Sequence, residues 1–228
     1  MSLLSTLMEY YPYVFHPAIT IGVGALVLIH HEWTRQGADR STLYRRVGGF
    51  LGAGVLSLVP SLAYMLVTGQ GPMETMSGNA WQVDALVAGG IGVAAAVTWL
   101  LWWRYDWGSL VPTYMQTLIV VTVPYIALSP VWNFSGHVTM SLMPVLFLVL
   151  VDRKFWPLLL VPLVMVPNRI YVDAHTWAQA IGAFVITGAL VVGVYWYRND
   201  GSLRPASAES TPLGPQGGRP AGQGRRNQ

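Results

Sequence analysis

Residues 134–175 read FSGHVTMSLMPVLFLVLVDRKFWPLLLVPLVMVPNRIYVDAH. The stretch opens on Ser135-Gly136-His137 and closes on Arg169 through His175. Between these two motifs the only charged side chains are the adjacent trio Asp152, Arg153 and Lys154. Two apolar runs meeting at one charged turn describe a chain that enters an apolar medium, turns at a water boundary and comes back. Both polar motifs then lie on the side from which it entered.

The rest of the chain extends this pattern. Of the 228 residues, 53% are hydrophobic and 10% charged, against roughly 25% charged in an ordinary soluble domain. That is too little charge to cover a soluble globule, and the apolar residues fall in long blocks, the mark of an integral membrane protein. Seven spans are predicted: Tyr11–His30, Val47–Thr68, Asp84–Trp103, Leu110–Leu128, His137–Val151, Phe155–Pro167 and His175–Tyr197. A full crossing takes about 20 residues, so the fifth and sixth must borrow flanking residues or sit inside the bundle. The expected fold is therefore all-α, a polytopic membrane helical bundle occupying residues 1–198. The Gly-, Pro-, Ser- and Gln-rich segment 199–228 is too poor in apolar residues to fold alone and reads as a disordered cytoplasmic tail, with Arg225 and Arg226 near anionic lipid. The first apolar block lacks the basic start of a cleavable signal peptide and reads as a permanent span.

Charge orients the spans. Arg35, Arg40, Arg45 and Arg46 lie in the first loop, Arg104 in the third, Arg153 and Lys154 in the fifth, Arg198 and Arg204 at the start of the tail. The second and fourth loops carry no Lys or Arg, and the sixth carries only Arg169. Basic residues mark cytoplasmic loops, so the alternation predicts an outside N-terminus, a cytoplasmic tail, and both motifs on the outer face. With no cysteine, disulfides, thiol catalysis and cysteine metal sites are excluded. No basic stripe interleaves with exposed aromatics, so nucleic acid is not an expected partner.

Metal-free cleavage of a phosphate ester needs a nucleophile, an acid for the leaving oxygen, and donors for the remaining oxygens. Histidine suits the first two roles because it titrates near neutrality. Arginine suits the third through its planar fork, and a Ser-Gly turn opening a helix adds backbone N–H groups. Phe134-Ser135-Gly136-His137 and Asn168-Arg169-(five residues)-His175, with 31 residues between His137 and Arg169, resemble two signature motifs of the type-2 phosphatidic acid phosphatase and haloperoxidase superfamily, P-S-G-H and S-R-x5-H-x3-D. The resemblance covers roughly Gln116–Gly182.

That resemblance implies a six-helix phosphatase-like core over about 47–198, preceded by one extra N-terminal helix. It implies His175 as the nucleophile forming a phosphohistidine, and His137 as the acid for the leaving oxygen. Ser135, the Gly136 backbone and Arg169 would hold the phosphate, with no metal or cofactor. Membrane lipids would be the partners and a lipid or polyprenyl phosphate the substrate, hydrolysed or transferred to an alcohol. Gln179 stands where the family has the aspartate that orients the nucleophile, and it would accept the same hydrogen bond without the charge. Asp173 is nearby at a different spacing. The upstream K-x6-R-P motif is matched best by Gln116-(six residues)-Val123-Pro124, which keeps the proline and loses both cations. These departures leave open a catalytically inactive lipid-binding protein.

Other polar residues carry plainer expectations. His30-His31-Glu32 reads as a solvated helix end, His16, near the outer end of the first span, as a packing or lipid-facing residue that could also approach the site, Asp84 as a first-turn cap, and Gly22 and Gly24 as helix packing. Trp99, Trp102, Trp103 and Trp107 read as an interfacial belt. A transporter is disfavoured, since no charge sits mid-span and no inverted repeat is present.

Overall fold

The computed structural model describes residues 2–69 and 81–203, without the side chains of 81–84. The predicted tail from residue 204 onward and the side chain of Asp84 lie outside the described residues. Every regular element described is helical: α1 Leu3–Val14, α2 Pro17–Gln36, α3 Arg40–Leu56, α4 Val59–Thr68, α5 Trp81–Tyr105, α6 Leu110–Trp132, α7 Gly136–Val151, a 3-10 helix Arg153–Leu159, α8 Leu160–Tyr171 and α9 Trp177–Arg198. Four stretches are long and apolar enough to cross a membrane: Arg40–Thr68, Ala85–Tyr105, Leu110–Trp132 and Trp177–Arg198. The pair α1 and α2 makes a fifth if taken as one broken span.

The predicted first span is not one straight helix. It breaks by 58° between α1 and α2. The cause is local: Pro17 at the start of α2 disfavours a helical conformation for the residue before it, and His16 is extended at ψ 141°. The predicted fifth span sits inside the bundle. α7 packs on α2, α6, α8 and α9, and most of its length is buried, from Val138 to Val151. A helix that is apolar on all sides suits a central position. The predicted sixth span is divided between the 3-10 helix and α8, and it is not among the stretches long and apolar enough to cross a membrane.

Proline leaves carbonyls without an intrahelical donor, and in apolar surroundings such groups must be satisfied by neighbours. Pro144 frees the carbonyl of Met140, which accepts a hydrogen bond from the Thr20 hydroxyl of α2 at 2.8 Å. Pro12 frees the carbonyl of Met8, which accepts from the Asn168 amide of α8 at 2.6 Å. Asn168 is fully buried, so this bond ties α1 to the end of α8. Asn168→Leu leaves the Met8 carbonyl without that donor and is expected to destabilise the protein by about 1–3 kcal/mol, measured by thermal unfolding in detergent; an unchanged midpoint would remove this role.

Further bonds set the spacing of the bundle. The Tyr114 hydroxyl donates to the Ile21 carbonyl at 2.9 Å, with Gly24 of α2 pressed against Tyr114 and Pro144. Gly24 is thus the packing glycine that was expected; Gly22 faces open space instead. Tyr195 donates to the Leu150 carbonyl at 2.9 Å, satisfying one of the terminal acceptors of α7.

Two readings are corrected at the end of the bundle carrying Arg35, Arg153 and Arg198. Glu32 is not solvated: it is 4% exposed and accepts from Leu110 N–H at 2.8 Å and from the indole of Trp102 at 3.1 Å. It caps the start of α6 from a distance in sequence, which no local pattern reveals. Trp102 is correspondingly core, with no exposure, while Trp103 is largely exposed as a belt residue would be.

Candidate functional site

At the opposite end of the bundle the loop before α7 and the loop between α8 and α9 meet. Asn133 joins them. It ends α6 in the left-handed conformation, φ 47°, which asparagine tolerates better than most residues. Its side-chain amide donates to the Ala174 carbonyl at 3.3 Å. Its own carbonyl oxygen lies 3.0 Å from Nδ1 of His175. A carbonyl only accepts, so Nδ1 carries the proton and Nε2 keeps the free lone pair. The His175 loop is folded back on its own helix, with Ala174 and His175 N–H groups both donating to the Arg169 carbonyl, at 3.0 and 3.2 Å.

Asn133 thus holds the His175 ring, and Gln179, expected to orient it, makes its side-chain bond elsewhere. The Gln179 side-chain oxygen accepts from Thr176 N–H at 2.9 Å, and Thr176 returns the favour to Gln179 N–H at 3.4 Å. This capping box starts α9. Nor does Asp173 replace a carboxylate at the site: it is exposed, in a left-handed turn at φ 55°.

Ser135 precedes α7 as its N-cap residue without making a side-chain cap bond. It is fully buried, and its hydroxyl has no partner. Thr139 N–H is the first to bond back, to the Ser135 carbonyl at 3.1 Å, so the earlier N–H groups of α7 have no intrahelical acceptor. Gly136 is required by proximity: a Cβ there would lie 2.9 Å from the Tyr125 ring.

His137, Arg169 and His175 line one cavity of about 260 Å³, together with Asn133, Phe134, Gly136 and Tyr125. Among the described residues no carboxylate lines it. Arg169 is part-buried, its Nε has no partner, and it makes no ion pair among the described residues. On its other side Arg169 borders a wider cleft of about 640 Å³ formed with Glu9, Tyr10, Pro12, Tyr13 and Val172. Burial first, and the nearby Arg169 cation second, push the His175 imidazole below its ordinary value, with the Asn133 bond acting the other way.

Of the two places open to His16, the structure shows the approach to the cavity rather than packing or lipid contact alone. His16 lines the same cavity, and its ring meets His137 edge-on at 6.0 Å. Ala18 N–H donates to its Nδ1 at 3.3 Å, so in neutral His16 the proton sits on Nε2, available as a donor. The His-Pro step that breaks α1 from α2 was the available signal; what it could not give was the distance from residue 16 to residue 137. Gln116 and Val123, the positions aligned with the lost cations, do not line the cavity. Among the described residues no group of three or more His, Asp or Glu side chains is placed to hold a metal ion.

No family model matches the chain, and neither a curated protein nor a solved structure is significantly similar to it. Chemical meaning therefore rests on the cavity itself. A part-buried arginine without a counter-ion among the described residues, three imidazoles, an unpartnered serine hydroxyl beside the cavity and the open N-terminus of α7 make a site for an anion.

Proposed function

We propose that this protein is a membrane lipid-phosphate phosphatase, a divergent member of the type-2 phosphatidic acid phosphatase superfamily. On this reading the chain crosses the membrane seven times and its site opens at the outer face. The observation that carries the proposal is the convergence of His137, Arg169 and His175 on one cavity, with His175 Nδ1 committed to the Asn133 carbonyl.

The reaction runs in two steps. Nε2 of His175 attacks phosphorus, the bond from phosphorus to the lipid oxygen breaks, and His137, which takes up a proton beside the bound phosphate anion, gives that proton to the leaving oxygen. Water then attacks the phosphohistidine while His137 takes its proton, and phosphate leaves with His175 restored. Arg169, the α7 N–H groups and the Ser135 hydroxyl hold the equatorial oxygens through both steps. An alcohol in place of water would make the same site a phosphotransferase. A non-catalytic head-group binder is the second reading, favoured by Gln116 and Val123, which leave Arg169 as the one fixed cation among the described residues that line the cavity.

Release of phosphate from a panel of lipid phosphates and phosphodiesters tests the proposal, with the purified protein in detergent. Turnover is expected on at least one substrate and is expected to survive chelation. Its pH profile is a second readout. The nucleophile must be neutral, so kcat/KM falls as pH drops through the pKa of His175. That pKa lies below the ordinary histidine value of about 6.5, so an acid limb below pH ~6.5 is expected. An absence of turnover across the panel would favour the non-catalytic reading.

A further inference from the structure

α2 lies ahead of the stretch that resembles the phosphatase motifs, yet it reaches the cavity. It packs on α7, and the contacts run in step along both helices. His16 meets His137 with ring centroids 6.0 Å apart. One turn on, the Thr20 hydroxyl donates to the Met140 carbonyl at 2.8 Å. A turn further, Gly24 lies against Pro144. Steps of three or four residues keep one face of each helix on the other, so the two helices run parallel. Both begin at the cavity, where Pro17 and Gly136 line it, and both turn their positive ends towards it. The middle contact sets the others: Pro144 frees the Met140 carbonyl, Thr20 takes it, and His16 is thereby brought to His137. At His16, Nδ1 caps α2 by accepting from Ala18 N–H at 3.3 Å. One edge of the ring is thus spent on its own helix, and the Nε2 edge is the one left for a ligand.

We propose that His16 is a phosphate ligand, its Nε2–H donating to an oxygen of the anion that Arg169 holds. The assignment rests on the anion-site reading above and supplies a donor which that site lacks. Gln116 and Val123 stand where two cations were expected, and neither lines the cavity. Arg169 is the one fixed cation among the described residues that do. His16 brings a further donor from a helix outside the motif-bearing stretch, on the side of the cavity where His137 also sits. A hydrogen bond to a charged oxygen is about twice as strong as one between neutral groups, so a neutral imidazole serves here without a charge of its own. The N-terminal helix then completes the site, and the lost upstream motif is answered by a residue that no motif contains.

Substitution separates the ligand role from the cap. Binding of butyl phosphate to the purified full chain in maltoside detergent is followed by phosphorus NMR. His16→Ser keeps an N-cap acceptor but is too short to reach the anion. His16→Gln sets an amide N–H near the place of Nε2 and gives up the cap, and His16→Ala gives up both. Serine and alanine are expected to weaken binding about tenfold, the scale of a hydrogen bond to a charged group, and glutamine to keep it within about threefold. Unfolding midpoints should fall in a different order, with serine near wild type and glutamine lowered together with alanine. Binding that follows the midpoints instead, with serine like wild type, would make His16 a cap only and overturn the proposal. Wild-type affinity in all three variants would overturn it as well, while loss of binding in Arg169→Ala would show that the anion site itself stands. A wild type that binds no butyl phosphate would overturn the site and the place of His16 in it together. Because binding is read, an absence of hydrolysis counts against the reaction alone.

Discussion

His175→Ala is expected to lower phosphate release by about four orders of magnitude, the scale seen when the nucleophile of a covalent mechanism is removed. The loss should fall on kcat, because the imidazole bonds to phosphorus only as the reaction proceeds and contributes little to ground-state binding. His175 also donates to the Asn133 carbonyl, so a structural contribution has to be separated from a chemical one. Asn133→Gly does this. It keeps the left-handed backbone and the carbonyl acceptor while removing the amide that donates to Ala174. A loss of about tenfold is expected there, since the loop loosens but the nucleophile remains. Rapid acid-free quenching should trap a phosphorylated His175 peptide in the wild type and none in His175→Ala. Turnover at the wild-type rate without His175 would eliminate the covalent mechanism.

Arg169→Ala is expected to cost about two to three orders of magnitude in kcat/KM, comparable to the loss of a principal transition-state donor. The expectation follows from its isolation: it is the one fixed cation among the described residues that line the cavity, and its Nε is buried without a partner. Arg169→Lys should recover only part of the loss, because an ammonium keeps the charge but not the planar fork. Guanidine added to Arg169→Ala should restore activity more than an alkylammonium does. If the protein binds lipid phosphate without turnover, the same substitution appears instead as weakened head-group binding, while His175→Ala changes affinity little. Equal activity for Arg169→Ala and wild type would remove the phosphate from this cavity.

The motif residues His137, Arg169 and His175 were legible because they recur as short patterns at the ends of apolar runs. Chemistry that depends on local type and spacing can be read along a chain. Their support could not be read in this way. Gln179 sits where an orienting carboxylate would be expected, yet it belongs to a capping box, an equally good local use of a glutamine three residues after a threonine. The orienting group is a backbone carbonyl, at Asn133, and every residue carries one, so sequence cannot distinguish it. His16 was legible as a histidine before a proline, and its place beside His137 was not.

Sequence alone determined the helical class and that the two motifs share one end of the bundle. Long apolar runs must satisfy their backbone internally, and helices do so within each segment; charge at each turn then separates one end from the other. Only the tertiary structure decided the contacts that join distant parts: Asn168 on the Met8 carbonyl freed by Pro12, Thr20 on the Met140 carbonyl freed by Pro144, and Glu32 on the start of α6. Each proline announces in sequence that a carbonyl will need a donor. Which donor arrives depends on how the helices pack, and packing is a property of the whole bundle.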